Sequence, residues 1–126
     1  MEVIQKLSKL KIYGDIIEEY IAHLINNDFL NEKRFAESYV RGKFNNNDWG
    51  KIRIIRELES RNISQVNIEN ALTEINPEDY LKKVRVLFKK IINENNDKPK
   101  EKIKEKIYSR LEYKGWEKEL IYEEIN

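Results

Sequence analysis

Residues 50–75 read GKIRIIRELESRNISQVNIENALTEI. Ile54, Ile55 and Leu58 fall on one face at helical spacing, and beyond Ile63 so do Ile68, Ala71, Leu72 and Ile75. Between the two apolar runs stands Asn62, which after glycine best tolerates the left-handed conformation that ends a helix. The stretch therefore reads as two short helices joined by a tight corner.

The same pattern recurs outward from this stretch. Shifts of 51 and then 53 positions superpose Val3, Ile54 and Ile107; Leu7, Leu58 and Leu111; Ile12, Ile63 and Trp116; Ile17, Ile68 and Ile121; and Ile21, Leu72 and Ile125. Asn62 falls on Gly115, preceded by Arg61 and Lys114, so the corners coincide as well as the apolar faces. Upstream, Phe35 falls on Phe88 and Tyr39 on Ile92, which gives each full unit three helices. The chain divides into the last two helices of a first repeat (1–28), a second repeat (29–76) and a third (77–126).

Punctuation agrees with this division. Asp15 with Glu18 has the form of a capping box, and Asn76 before Pro77 that of an N-cap followed by proline at the first helical position. About eight helices are expected, near 2–10, 15–27, 31–44, 48–61, 64–75, 77–95, 98–114 and 117–125. Strand-like alternation is absent, and 4 Gly and 2 Pro leave little material for a many-turned β fold or for phosphate-cradling loops.

The composition narrows function further. Among 126 residues there is no Cys and a single His, His23, which removes thiol catalysis, thiolate metal sites and disulfides, and weakens zinc and triad chemistry. The carboxylates are scattered at helix-surface spacings with nothing to organise them, so neither an enzyme nor a cofactor is expected. MEVIQKLSKL at the start has no apolar core of a leader, and no run approaches the roughly 20 apolar residues of a membrane span, so a cytoplasmic location is expected.

A net charge of +1 conceals strong segregation. Residues 33–61 carry 8 basic and 4 acidic groups and residues 82–114 carry 12 and 5, whereas residues 62–81 carry none and 4. Arg53 and Arg56 project away from the apolar face of their helix, as do Lys82, Arg85 and Lys89 from theirs. With Arg41, Lys43 and Lys51 these form a candidate cationic strip for an anionic partner, the alternative being a solvated face complementing helix dipoles. Lys98–Lys106, KPKEKIKEK, reads as solvated because Glu101 and Glu105 are interleaved. Phe35, Tyr39, Phe88, Ile92 and Trp116 read as core, Trp116 needing a partner for its indole N–H. Trp49 has no counterpart in the repeat, which leaves core packing and partner contact both open.

Two segments of Phe29–Ile63 resemble the RecX family of bacterial recombination regulators. The first is Leu30-Asn31-Glu32-Lys33-Arg34-Phe35-Ala36; the second is Gly50 with Arg53, Ile54, Glu57, Leu58, Arg61 and Ile63. Lys51 stands where the family often has Pro, and Asn62 where it usually has Gly. The resemblance implies an all-α fold of tandem three-helix, helix-turn-helix-like repeats stacked into an elongated crescent, the first repeat incomplete. It also implies a protein that binds the RecA filament on single-stranded DNA and restrains RecA in recombination, DNA repair and the SOS response. A monomer is expected, with weak non-specific DNA contact by the basic strip as an accompaniment.

Two other readings use the same helices. A helix-turn-helix corner at Arg56–Ala71 could dock on DNA directly, yet Ser64–Ile75 carries only Glu69 and Glu74 as charges and would meet the phosphate field unfavourably. A generic helical-repeat adaptor shares every feature except the two middle-repeat motifs.

Overall fold

A computed structural model describes the backbone of residues 14–125 and the side chains of residues 18–125. The expected helix at 2–10, the first-repeat positions Val3, Leu7, Ile12 and Ile17, and the Asp15 cap lie outside the described side chains. The described residues form α1 (Gly14–Asn47), α2 (Lys51–Ser60), α3 (Gln65–Leu72), α4 (Pro77–Glu94), α5 (Lys100–Tyr113) and α6 (Lys118–Ile125), with no strand among them.

The repeat places the core as its register predicts. Ile54 and Ile107, Leu58 and Leu111, and Ile68 and Ile121 are buried in matching pairs. Ile63, Leu72 and Ile125 pack partly against the same core, and Trp116 is fully inside it. Each buried Ile or Leu contributes roughly 1.5–3 kcal/mol relative to leaving it exposed. The corners match in detail: Asn62 (φ 59°) and Gly115 (φ 92°) are both left-handed. In each, the next amide reaches back to the helix, Ile63 to Leu58 O at 3.1 Å and Trp116 to Leu111 O at 3.0 Å. Asn76 caps α4, its side chain accepting from the amides of Glu78 (2.8 Å) and Asp79 (3.4 Å).

Three expectations are corrected. The helices expected at 15–27 and 31–44 are one 34-residue helix, α1. Asn26, Asn27 and Asp28 cost only a few tenths of a kcal/mol each inside a helix, and no glycine or proline is there to end it. Tertiary contacts hold the join, since Phe29 O and Glu32 both bond α3 through Asn67. Phe35, expected in the core, is 45% exposed and instead lies against Tyr39 with ring centroids 5.7 Å apart. Its register mate Phe88 is buried, whereas Ile92, also expected in the core, is 42% exposed.

Glu32 gives the acidic position of the first motif a physical task. Its carboxylate accepts from the amide of Ser64 and from Asn67 Nδ2 at 3.0 Å, so α1 caps the start of α3 across the second unit. These hydrogen bonds, that of the Ser64 amide above all, hold Glu32 below the usual carboxylate range.

Candidate functional site

The stretches α1–α3 and α4–α6, which the repeat register reads as the second and third units, meet where α2 begins. Gly50 is the N-cap of α2 and has no side chain to cap with, so the first amides of the helix need partners from elsewhere. They find them in the third unit: Gly50 N donates to Lys114 O (2.9 Å), Lys51 N to the Tyr80 hydroxyl (2.9 Å) and Ile52 N to Gly115 O (3.0 Å). The approach is close enough that a Cβ on Gly50 would lie 2.5 Å from Gly115 O, and one on Gly115 would lie 2.4 Å from Arg53 N. Gly115 thus serves both the left-handed corner and the contact between units.

Aromatic rings fill the joint beneath. Tyr80 and Trp116 stack at 4.4 Å, and Phe44 lies 5.9 Å from Tyr80 and 6.4 Å from Trp116. The Trp116 indole donates to Asp48 O at 3.0 Å, which supplies the partner its N–H requires. Asp48 is left-handed (φ 60°) and pairs with Lys83 at 2.8 Å, while Lys83 also donates to Asn45 O at 3.2 Å. The Tyr80 hydroxyl donates to Glu117, and burial followed by that carboxylate pushes it well above the usual tyrosine range.

The eight predicted cations divide three ways in this setting. Arg41 pairs with Glu74 (3.3 Å) and Arg85 with Glu124 (3.3 Å), both exposed pairs across helices. Lys43, Lys51 and Arg53 lie over rings: Lys43 is 4.9 Å from the Trp49 centroid, Lys51 is 4.7 Å from Tyr80, and Arg53 is 4.2 Å from Trp49 and 4.8 Å from Tyr113. Lys51 also shares a shallow pocket with Glu117, Glu119 and Glu123, so its field is offset. Arg56, Lys82 and Lys89 are exposed, and none has a carboxylate within ion-pair distance among the described residues.

Along α4, Lys82, Arg85 and Lys89 share the face opposite the buried Tyr80, Val84 and Ile91. Lys90 and Val86 are exposed beside them, Val86 at 61%. Sequence reading missed Lys83, whose task depends on a turn 35 positions earlier. Trp49 is buried at 8% exposure, which decides for packing between the two readings left open for it. His23 is exposed on α1, 3.2 Å from Asn27 Nδ2. No group of three or more His, Cys, Asp and Glu able to hold a metal occurs among the described residues. No described helix is long and apolar enough to cross a membrane.

Comparison with known proteins identifies the family and the fold. Residues 31–72 match the family description "RecX, second three-helix domain". The chain is 29% identical over 122 residues to the Regulatory protein RecX of Streptococcus agalactiae serotype V, covering 96% of this chain and 46% of that protein. It is 30% identical over 112 residues to that of Clostridioides difficile, covering 89% and 53%. The chain thus spans about half the length of these curated relatives. The crystal structure of RecX from Lactobacillus salivarius superposes with a TM-score of 0.70 at 33% identity, over 98% of this chain and 80% of that one. A second crystal structure, of regulatory protein RecX, gives a TM-score of 0.68 at 24% identity and supports the fold alone. By sequence, by repeat architecture and by this superposition, the chain belongs to the RecX family.

Proposed function

We propose that this chain regulates RecA: it binds the RecA filament assembled on single-stranded DNA, in the cytoplasm and as a monomer, and restrains its activities in recombination, DNA repair and the SOS response. The repeat register assigns it 1–28 as part of a first unit, 29–76 as a second and 77–126 as a third. No step of this work requires a cofactor or chemistry of its own.

The observation that supports the reading most is the face of α4. In a chain of RecX descent, Lys82, Arg85 and Lys89 form an outward cationic row, with Arg56 exposed on α2. Among the described residues no carboxylate lies within ion-pair distance of Lys82 or Lys89, so an anionic protein surface would gain their full charge on contact. The joint between units supplies the mechanics. Backbone hydrogen bonds, a stacked aromatic pair and two near-touching glycines fix α2 relative to the third unit. Arg56 and the α4 row are then held at a set spacing with little ordering cost on binding. A rigid span of this kind would obstruct motion between neighbouring filament subunits. Arg41, Lys43, Lys51 and Arg53 contribute chiefly to holding the frame, by ion pairing and ring contact.

Direct reading of DNA is disfavoured by α3, whose buried Asn67, Ile68 and Ala71 leave Val66 and Glu69 outward and no cation. Weak, non-specific DNA contact by the α4 row accompanies the main role.

The test is sedimentation of the chain with RecA filaments on single-stranded DNA, against the same DNA without RecA. Co-sedimentation that requires RecA, and that falls about ten-fold on reversal of Arg56, Lys82 and Lys89 to Glu, supports the reading. Equal retention by naked DNA contradicts it.

A further inference from the structure

A groove opens between the helices of the third unit. Phe88 and Ile92 of α4, Ile103 and Ile107 of α5 and Ile125 of α6 enclose about 370 Å³ of open, mostly apolar space. Ile92 is 42% exposed at its edge. In the second unit α1 and α3 are fastened by Glu32, Phe29 O and Asn67. In the third, Arg85 stands at the register position of Glu32, and α4 reaches α6 through the exposed Arg85–Glu124 pair and, at the far end, through Tyr80, whose hydroxyl donates to Glu117 just before α6. The floor positions differ too, since Ile103 takes the place of Gly50.

The rim is cationic. Lys98, Lys100 and Lys104 line the groove, at register positions occupied by Asn45, Asn47 and Lys51 in the second unit. None of the three has an ion-pair partner among the described residues. The hydrogen bond and charge of Lys98 push Lys106, just beyond the rim, below the usual lysine range. The one acid on the groove, Glu124, is already neutralised by Arg85 at 3.3 Å. Glu101 and Glu105, whose interleaving made this stretch read as solvated, line an adjoining hollow with Tyr108 and Tyr122 that meets the groove at Lys104 and Ile125.

We propose that this groove binds an amphipathic, acidic helical segment of a partner protein, its apolar residues seated on Ile92, Ile103 and Ile125 and its carboxylates on Lys98, Lys100 and Lys104. The floor is aliphatic apart from a buried phenylalanine, which offers bases no stacking platform and favours a peptide over single-stranded nucleic acid. Grooves between helices take amphipathic helices through anchors at i, i+4 and i+7. The proposal goes beyond the RecA reading, and its test uses no RecA.

The experiment is fluorescence anisotropy of the whole chain with a labelled peptide of about 14 residues, Leu at i, i+4 and i+7 and Glu on the flanks, beside a scrambled peptide of equal charge and a labelled oligothymidylate. Saturable binding of the patterned peptide, weakened about ten-fold by Ile92→Asp and likewise by Lys98→Glu, Lys100→Glu and Lys104→Glu together, is the expected result. Circular dichroism establishes that the variants keep their helices. Equal binding of the scrambled peptide, indifference to the substitutions, or tighter binding of oligothymidylate at the same residues would overturn it. So would sedimentation showing a dimer that Ile92→Asp converts to monomer, because a second copy would then be the occupant.

Discussion

The amide of Gly50 lies 2.9 Å from the carbonyl oxygen of Lys114, and through that bond the second repeat uses the third as the cap of its middle helix. A single methyl group tests it. Gly50→Ala would place a Cβ 2.5 Å from Gly115 O, backbone against backbone with no flexible side chain to give way. We expect a loss of about 2–3 kcal/mol, read as a lower urea midpoint. Gly115→Ala sets a Cβ 2.4 Å from Arg53 N and adds a φ of 92°, so it should cost more.

Trp116 separates packing from hydrogen bonding at the same joint. Trp116→Phe retains a ring beside Tyr80 and abandons the bond to Asp48 O, for an expected loss of about 1–3 kcal/mol. Trp116→Ala also empties a fully buried site and should cost roughly 3–5 kcal/mol. If the two variants had equal stability, the stacked ring would not be holding the units together.

The bonds from Ser64 and Asn67 depress the pKa of Glu32 in the folded chain relative to the unfolded one. Its contribution is therefore present above the ordinary carboxylate pKa and is lost as pH falls through the lowered folded value. Urea midpoints of the wild type and of Glu32→Gln, taken from pH 7 down to the acid transition, should converge as pH falls. A constant difference across that range would show that the ionised form of Glu32 does not matter.

Arg53 and Arg56, alike in sequence, are predicted to part in behaviour. Arg53 lies over Trp49 and Tyr113 and donates to Tyr113 O at 3.3 Å, so Arg53→Ala should cost about 1–2 kcal/mol of stability. Arg56 touches nothing comparable, and Arg56→Glu should leave stability within about 0.5 kcal/mol while weakening partner binding. Thermal denaturation of the two variants checks the division.

These cases show which parts of the fold were legible beforehand. The pairs Ile54–Ile107, Leu58–Leu111 and Ile68–Ile121, the left-handed Asn62 and Gly115, and the Asn76 cap depend on local periodicity and local backbone preference, and a sequence displays both. The continuity of α1 through Asn26–Asp28 did not show, because bonds to a helix 35 residues away outweigh a modest local preference to stop. The site divided for the same reason. Charge and helical phase marked Arg53 and Arg56 as equivalent, and only the neighbouring unit tells a frame cation from a free one. Gly50 could be recognised as a family position, but its task required the place of Gly115. Lys83 and the groove beside Lys98–Lys104 left no local signal at all, being products of how units two and three differ in packing.

RecA's single-stranded-DNA-dependent ATP hydrolysis, measured while the folded chain is titrated from well below RecA's concentration up to equimolar, tests the central claim most directly. Regulation of the filament predicts inhibition at ratios too low to coat the DNA, with the triple reversal of Arg56, Lys82 and Lys89 to Glu shifting the curve to about ten-fold higher concentration. ATP hydrolysis unchanged up to equimolar chain, or inhibited only where the chain saturates DNA without RecA, would contradict it.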